Sequence, residues 1–441
     1  MQPFPYQQAG IQFLASRTRA ALLDEPGLGK TGQAIEALNV VNPQRVLIVS
    51  PLIVTPNWDR ELGMWAPWRT VQRLRKGADA IHRDATVIIC PTSLIANPKM
   101  LATLVGTKWD LLIVDEAHHF KNPTASRTVA LYGARGIAVR VPRVWILTGT
   151  IMPNNPSELW THLLHIHPKA ITHNGRPLSQ WAFDQRYCEY EETRYGRKII
   201  GVKRADELRR ILGECSLRRK QVDVLKDLPP MRHANVSLPA PSKAQLEPLT
   251  ALLDRLSDEL GRDVSKLTGD ELLVAMQNSA EFPTYRRLCG ELKAEMAIEW
   301  VRGELDSGVE KLVLFANHRG VIQEIQDALA EFGTASIHGG VSADERQRIV
   351  DRFQTDPTLR VVVCQIVSGG VGITLTAANR AAFVELDWVP GNNLQASKRI
   401  HRIGQTAGSV LVHYLYMEGS VDEHITLALA RKSQMIQEVG V

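Results

Sequence analysis

Short apolar runs recur along the chain, and segments with helical periodicity separate them. The first set is VLIVSP (46–51), TVIIC (86–90), LLIVDEA (111–117) and VWILTG (144–149). The second is KLVLFAN (311–317), TASIHGG (334–340), RVVVCQ (360–365), AAFVELD (381–387) and LVHYLYM (411–417). Runs that stay apolar instead of alternating predict strands buried on both faces, as in parallel sheets covered by helices. Two such sets predict an α/β chain with two parallel-sheet domains. The middle reads differently. Residues 166–235 are mixed and charged, close on Pro229-Pro230, and are read as a helical insertion. Residues 241–285 predict polar helices, and 288–308 an amphipathic helix stopped by Gly308. The break between domains is placed near 235. The first domain then covers 1–235 and the second 236–441, with a helical part at about 241–308 ahead of its strands.

Composition changes this picture little. A chain of 441 residues can fill two to three cores. A net charge of +5, from 52 Lys+Arg against 47 Asp+Glu, permits a nucleic-acid partner without requiring one. The five cysteines form no C-x-x-C pair, which argues against a zinc or dithiol site and suits a reducing compartment. The N-terminus lacks the pattern of a signal peptide, and no apolar stretch is long enough to span a bilayer. The expectation is an intracellular chain with no membrane partner.

Three motifs carry chemistry. DEPGLGKT (24–31) follows the apolar run AALL and opens a helix, the strand–turn–helix arrangement that cradles phosphate. Gly27 and Gly29 let backbone N–H groups approach oxygens, Lys30 would reach the β/γ-phosphates, and the Thr31 hydroxyl would bind Mg²⁺. Asp24 stands where the strict pattern has glycine. In LLIVDEAHHF, Asp115 and Glu116 fall at the C-terminal end of a buried strand, where α/β sheets bind ligands. Asp115 would hold Mg²⁺ and Glu116 would polarise an attacking water. In QASKRIHRIGQ (395–405), Arg399 and Arg402 share a face if helical and could act as arginine fingers on a γ-phosphate. The alternative for that pair alone is a solvated helix face.

Taken together, these residues resemble the Swi/Snf family of superfamily-two helicase-like ATPases over nearly the whole chain. PYQ (5–7) resembles the adenine-reading motif, with Gln7 as reader, and DEPGLGKT resembles motif I with Pro26 where methionine is usual. SPLIVTPNW (50–58), CPTSL (90–94), DEAHHFKN (115–122) and LTGTIMPNNPSELW (147–160) resemble motifs Ia, Ib, II and III, the last with Ile151 in place of proline. LVLFANH (312–318), SIHGGVSADERQRIVDRFQ (336–354), SGGVGITLTAAN (368–379) and QASKRIHRIGQ resemble motif IV, the block after it, and motifs V and VI. The usual W-N-P is Trp388-Val389-Pro390 here. RYCEYEETRYG followed by LRRKQVDVLKDLP looks like the distant subgroup containing HARP-type annealing helicases.

The resemblance implies two RecA-like lobes with helical insertions and an ATP site formed by Gln7, Gly27, Gly29, Lys30, Thr31 and Gly372. It implies ATP with Mg²⁺ as cofactors and His118 as the coupling between the ATP site and motif III; a structural histidine is the alternative. It implies phosphate contacts from Thr92, Ser93, Lys121, Asn122, His338, Gly339, Ser368 and Gly369, with little sequence specificity. Trp58 and Trp388 are candidates for the DNA side, while Trp109 and Trp145 read as core. The basic run Arg218-Arg219-Lys220 is either a solvated face or a lobe-interface element. The implied activity is an ATP-dependent translocase on duplex or branched DNA. The expected form is a bare, monomeric motor core, cytoplasmic in a bacterium or phage-infected cell and nuclear in a eukaryote. The rivals are an RNA helicase, a restriction-system motor subunit, or an ATP-gated clamp; the clamp would need neither Glu116 nor the arginines.

Overall fold

In the computed structural model, which describes residues 2–149, 151–152, 155–193, 196–261, 263–267, 269–277, 279–369 and 373–439, the chain divides into two compact units, Met1–Lys226 and Asp227–Val441. Strands of the first unit are β1 (Arg19–Leu22), β2 (Val46–Ser50), β3 (Val71–Arg73), β4 (Val87–Pro91), β5 (Leu111–Asp115) and β6 (Arg143–Leu147). Two hairpins follow, β7 (Thr172–His173) with β8 (Arg176–Pro177) and β9 (Cys188–Thr193) with β10 (Gly196–Val202), and then β11 (Ser216–Leu217). The main sheet has seven strands in the order β11-β1-β6-β5-β2-β4-β3. Every pairing in it is parallel. β2, β4 and β5 are buried at every position, as uninterrupted apolar runs require. Leu112 and Val114 of β5 join Met100, Leu104, Phe120 and Leu163 in one core. Strand alternation turns Leu111 and Ile113 to the opposite face, where they are equally buried.

Residues 166–235 are not a helical insertion. They hold helices at Gln180–Tyr187 and Ala205–Cys215, but also both hairpins and β11. In β9 the half-buried or buried Cys188 and Tyr190 alternate with the exposed Glu189 and Glu191, a period of two that suits a strand and no helix. The break near 235 also moves. β12 (Met231–Leu238) pairs along its whole length with β17 (Val410–Met417), so a cut at 235 would divide a strand of the second sheet. The remaining strands are β13 (Leu312–Ala316), β14 (Thr334–Ile337), β15 (Val361–Gln365) and β16 (Arg380–Phe383). The second sheet runs β12-β17-β16-β13-β15-β14, again all parallel.

Helices precede these strands where polar periodicity placed them. Helix Lys243–Leu260 starts on a capping box: Ser242 Oγ accepts from the Gln245 N–H and Gln245 Oε1 accepts from the Ser242 N–H. Helix Phe282–Asp306 ends just before Gly308, whose φ of +98° lies outside the range that L side chains readily adopt. That helix is fastened to helix Val421–Val439 by a buried ion pair, Lys293 Nζ to Asp422 Oδ1 at 2.9 Å. Asp422 also accepts from Cys289 Sγ and from the Met417 N–H, both at 3.1 Å. Burial is the largest influence and would lower the Lys293 pKa, but the facing Asp422 carboxylate, together with Cys289 and Glu385, outweighs it and raises the pKa. All five cysteines are free and buried. No helix among the described residues is long and apolar enough to cross a membrane.

Removing one partner of such a pair strands the other. Asp422→Ala is therefore expected to destabilise the second unit by about 3–5 kcal/mol, while Lys293→Met combined with Asp422→Leu costs much less. Urea melts of both variants test this, and equal losses would contradict it.

Candidate nucleotide site

The phosphate loop leaves β1 at Leu22 and enters helix Lys30–Val41. Gly27 and Gly29 have φ of +89° and +70°, and Gly29 forms the helix N-cap. A Cβ on Gly29 would come within 2.5 Å of Gln7 Nε2, so the position excludes side chains both by conformation and by approach. Gln7 lies against the loop: its amide donates to the Leu28 carbonyl at 3.3 Å and accepts from the Phe4 N–H at 2.9 Å. Lys30 Nζ donates to the Asp24 and Glu25 carbonyls at 2.7 and 3.3 Å.

Asp24, wholly buried, shows why it can stand in place of glycine. Arg219 meets it with both arms of its guanidinium, Nε to Oδ1 at 3.0 Å and Nη2 to Oδ2 at 2.5 Å. Gln33 Nε2 adds a further bond to Asp24 at 3.1 Å, and Arg219 also donates to Gln33 Oε1 and the Tyr6 carbonyl. Arg219 is therefore neither part of a solvated face nor free for another contact; it braces the phosphate loop. Its signal in the sequence was a carboxylate inside a glycine turn, which needs a cation once buried.

Asp115 ends β5 next to Glu116, whose φ of +48° is uncommon for a residue with a side chain. The Trp58 indole N–H donates to Asp115 Oδ2 at 2.8 Å. Trp58 is completely buried, so its assignment to the DNA side is corrected: it holds the acidic motif. Burial pushes the Asp115 carboxyl up to about 7 and the Glu116 charge adds to this, while Trp58 and the Lys30 ammonium oppose it. Two adjacent carboxylates under that strain, facing a lysine on a phosphate loop, are a donor set that fits a hard divalent cation. His118 Nδ1 lies 3.2 Å from Glu116 Oε2 and 3.1 Å from Thr148 Oγ1, and so bridges motif II and the start of motif III.

Other expected positions fall at strand C-termini. Thr92 and Ser93 follow β4; the Thr92 hydroxyl is buried with no hydrogen-bond partner among the described residues, and Ser93 is exposed. Lys121 pairs with Glu158 at 2.7 Å, and Asn122 Oδ1 caps the Thr124 N–H and hydroxyl. In the second unit, His338 and Gly339 follow β14, where Gly339 N–H donates to Gln365 Oε1 at 3.1 Å. Ser368 and Gly369 lie in the short helix after β15, and Gly372 lies outside the described residues. Trp388 is buried edge-on against Phe282, packed as core and not presented for base stacking. Arg402 is half-buried and donates to Thr374 Oγ1 at 3.1 Å and to the Lys398 carbonyl. Arg399 is buried, and so is Lys398 beside it.

Two all-parallel α/β units, with a phosphate loop and an acidic pair at one sheet edge, define a helicase-like ATPase. The SNF2-related domain matches residues 6–269 and the helicase conserved C-terminal domain residues 293–404. The chain belongs to the SNF2-related family. It is 30% identical over 453 residues to the human DNA annealing helicase and endonuclease ZRANB3, covering 98% of this chain and 40% of that protein. It is 29% identical over 442 residues to the SWI/SNF-related matrix-associated actin-dependent regulator of chromatin subfamily A-like protein 1 of Xenopus tropicalis, covering 99% and 45%. The chain thus spans less than half the length of these two relatives. It is also similar to the Sulfolobus solfataricus SWI2/SNF2 ATPase core in complex with dsDNA, at 23% identity and a TM-score of 0.47, covering 100% of this chain and 93% of that one.

Gly29→Ala forces a side chain into the space of the Gln7 amide. Nucleotide affinity is expected to fall about tenfold, equivalent to about 1.4 kcal/mol, with the fold retained. Titration with a fluorescent ATP analogue checks this; unchanged affinity would remove Gln7 and Gly29 from the site.

Proposed function

We propose that this chain is an ATP-driven motor that tracks on duplex or branched DNA and contacts it with little sequence preference. The observation that carries the reading is the gathering of Lys30, Asp115, Glu116 and His118 at one sheet edge. The relatives named above, one of them a DNA annealing helicase, support the choice of DNA. ATP is held by Gln7, Gly27, Gly29 and Lys30, and Mg²⁺ by Thr31 and Asp115. Such a metal would supply positive charge to neutralise the transferring phosphate. Glu116 orients the attacking water, and His118 relays the state of that carboxylate to Thr148. Arg402, with Arg399, neutralises charge developing on the γ-phosphate when the units close. Thr92, Ser93, Lys121, Asn122, His338, Gly339, Ser368 and Gly369 supply phosphate contacts, so stimulation should fall steeply with salt.

The deciding experiment is ATPase activity on blunt duplex, fork, single strand and RNA, with triplex displacement as the measure of tracking. Duplex and fork DNA are expected to stimulate. Preference for RNA, or negligible turnover on every substrate, would overturn the proposal. Two substitutions sharpen it. Arg402→Ala is expected to lower turnover by about a thousandfold or more while nucleotide binding survives, the usual scale for a lost arginine finger. Trp58→Phe removes the N–H that steadies Asp115; the free Mg²⁺ needed for half-maximal rate should rise about 10–100-fold. Wild-type turnover in the first, or a wild-type Mg²⁺ requirement in the second, would count against the assigned role.

A further inference from the structure

The segment joining the two units is fastened at both ends by residues of the ATPase motifs. On the first-unit side, Arg219 grips Asp24 at the root of the phosphate loop, as described above. Its carbonyl accepts from the Glu25 N–H at 3.1 Å, and the Glu25 carboxylate accepts from the Gln221 N–H at 2.9 Å. Side chain and backbone are thus both stitched to Asp24-Glu25. On the second-unit side, His401 Nε2 donates to the Pro229 carbonyl at 2.7 Å, and His401 lies in the motif between Arg399 and Arg402. The Pro230 carbonyl accepts from the Val410 N–H at 3.0 Å. Gln221 and Pro229 are buried, whereas every residue from 222 to 228 is half-buried or exposed, Val222 at 76%.

We propose that residues 221–229 are a strap that transmits movement between the phosphate loop and motif VI, with Arg219 and His401 as the positioning residues that fasten its ends. The inference rests on the ATPase reading above. A linker fixed to ordinary surface would let the units move without disturbing either set of motif residues. Here any pull arrives at Asp24 and at the Arg399–Arg402 run. A bidentate, charge-assisted pair in a buried site is hard to break. Helix Gln221–Val224 closes the first end, so the stretch from Lys226 to Leu228 is the part that flexes, and Pro229-Pro230 keeps the second end stiff.

Three changes test this in the full chain. A Gly-Ser-Gly-Ser insertion between Lys226 and Asp227 lengthens only the exposed middle and touches neither fastening. ATP affinity is expected to stay at the wild-type value, while DNA-stimulated kcat and triplex displacement per ATP fall about tenfold. Asp24→Asn combined with Arg219→Gln loosens the first fastening without leaving a buried charge unpaired. Nucleotide Kd and KM for ATP are expected to rise about tenfold. His401→Gln keeps a donor for the Pro229 carbonyl and should retain activity, whereas His401→Phe should lose about tenfold in kcat with KM unchanged. An insertion variant with wild-type stimulation and coupling overturns the strap. Wild-type nucleotide affinity in the double variant overturns the Arg219 fastening, and equal behaviour of the two His401 variants overturns the other. A wild-type chain that binds ATP yet ignores DNA refutes the functional reading instead, and nucleotide affinity in the double variant still decides the Arg219 fastening.

Discussion

Parallel pairing gives a sheet one edge made entirely of strand C-termini, and the backbone leaving that edge must find new hydrogen-bond partners in its loops. In the first unit, β1, β6 and β5 are neighbours. Their ends deliver Asp24, Thr148 and Asp115 side by side, although the three are far apart in sequence. The phosphate loop, the acidic pair and the His118 bridge to Thr148 follow from that adjacency. The second sheet repeats the arrangement, with His318 after β13, His338 after β14, Gln365 at the end of β15 and Glu385 after β16. The Glu385 carboxylate accepts from the Asn317 and His318 N–H groups at 2.8 and 2.9 Å, tying two adjacent strand ends together.

Buried charge is the second organising feature. Asp24, Asp115, Glu385 and Asp422 are all nearly or wholly inaccessible, and each is met by specific donors. A buried carboxylate without partners would cost more than the fold can spare, so each one dictates which element lies opposite it. Asp24 requires Arg219 and thereby docks the end of the first unit onto its beginning. Asp115 requires the Trp58 indole and so ties the helix after β2 to the acidic motif. Asp422 requires Lys293 and joins the long helix of the second unit to the C-terminal one. At Asp115, burial and the Glu116 charge beside it leave the carboxyl high, which is the condition a bound cation relieves.

Much of this was legible in the residue pattern. Continuous apolar runs such as LLIVD cannot be half-exposed strands, so both parallel sheets and most of their strands could be read directly. The glycine turn at 27–29 and the acidic pair at 115–116 are local, because their chemistry lies within a few consecutive residues. What could not be read was pairing over distance. Trp58 sits in a motif that makes it a candidate for the DNA side, yet its ring is buried and its N–H serves Asp115. Arg219 lay in a basic run of ordinary composition, and only its burial against Asp24 gives it a role. Residues 188–191 carry a strand period that the surrounding charge obscures, and β12 is a strand because β17 offers it a partner. Local conformation and hydrophobic period are properties of neighbouring residues, so the sequence by itself determined the sheets and the phosphate loop. Which donor meets which buried carboxylate depends on strand order, and strand order exists only once the sheet has closed around its core.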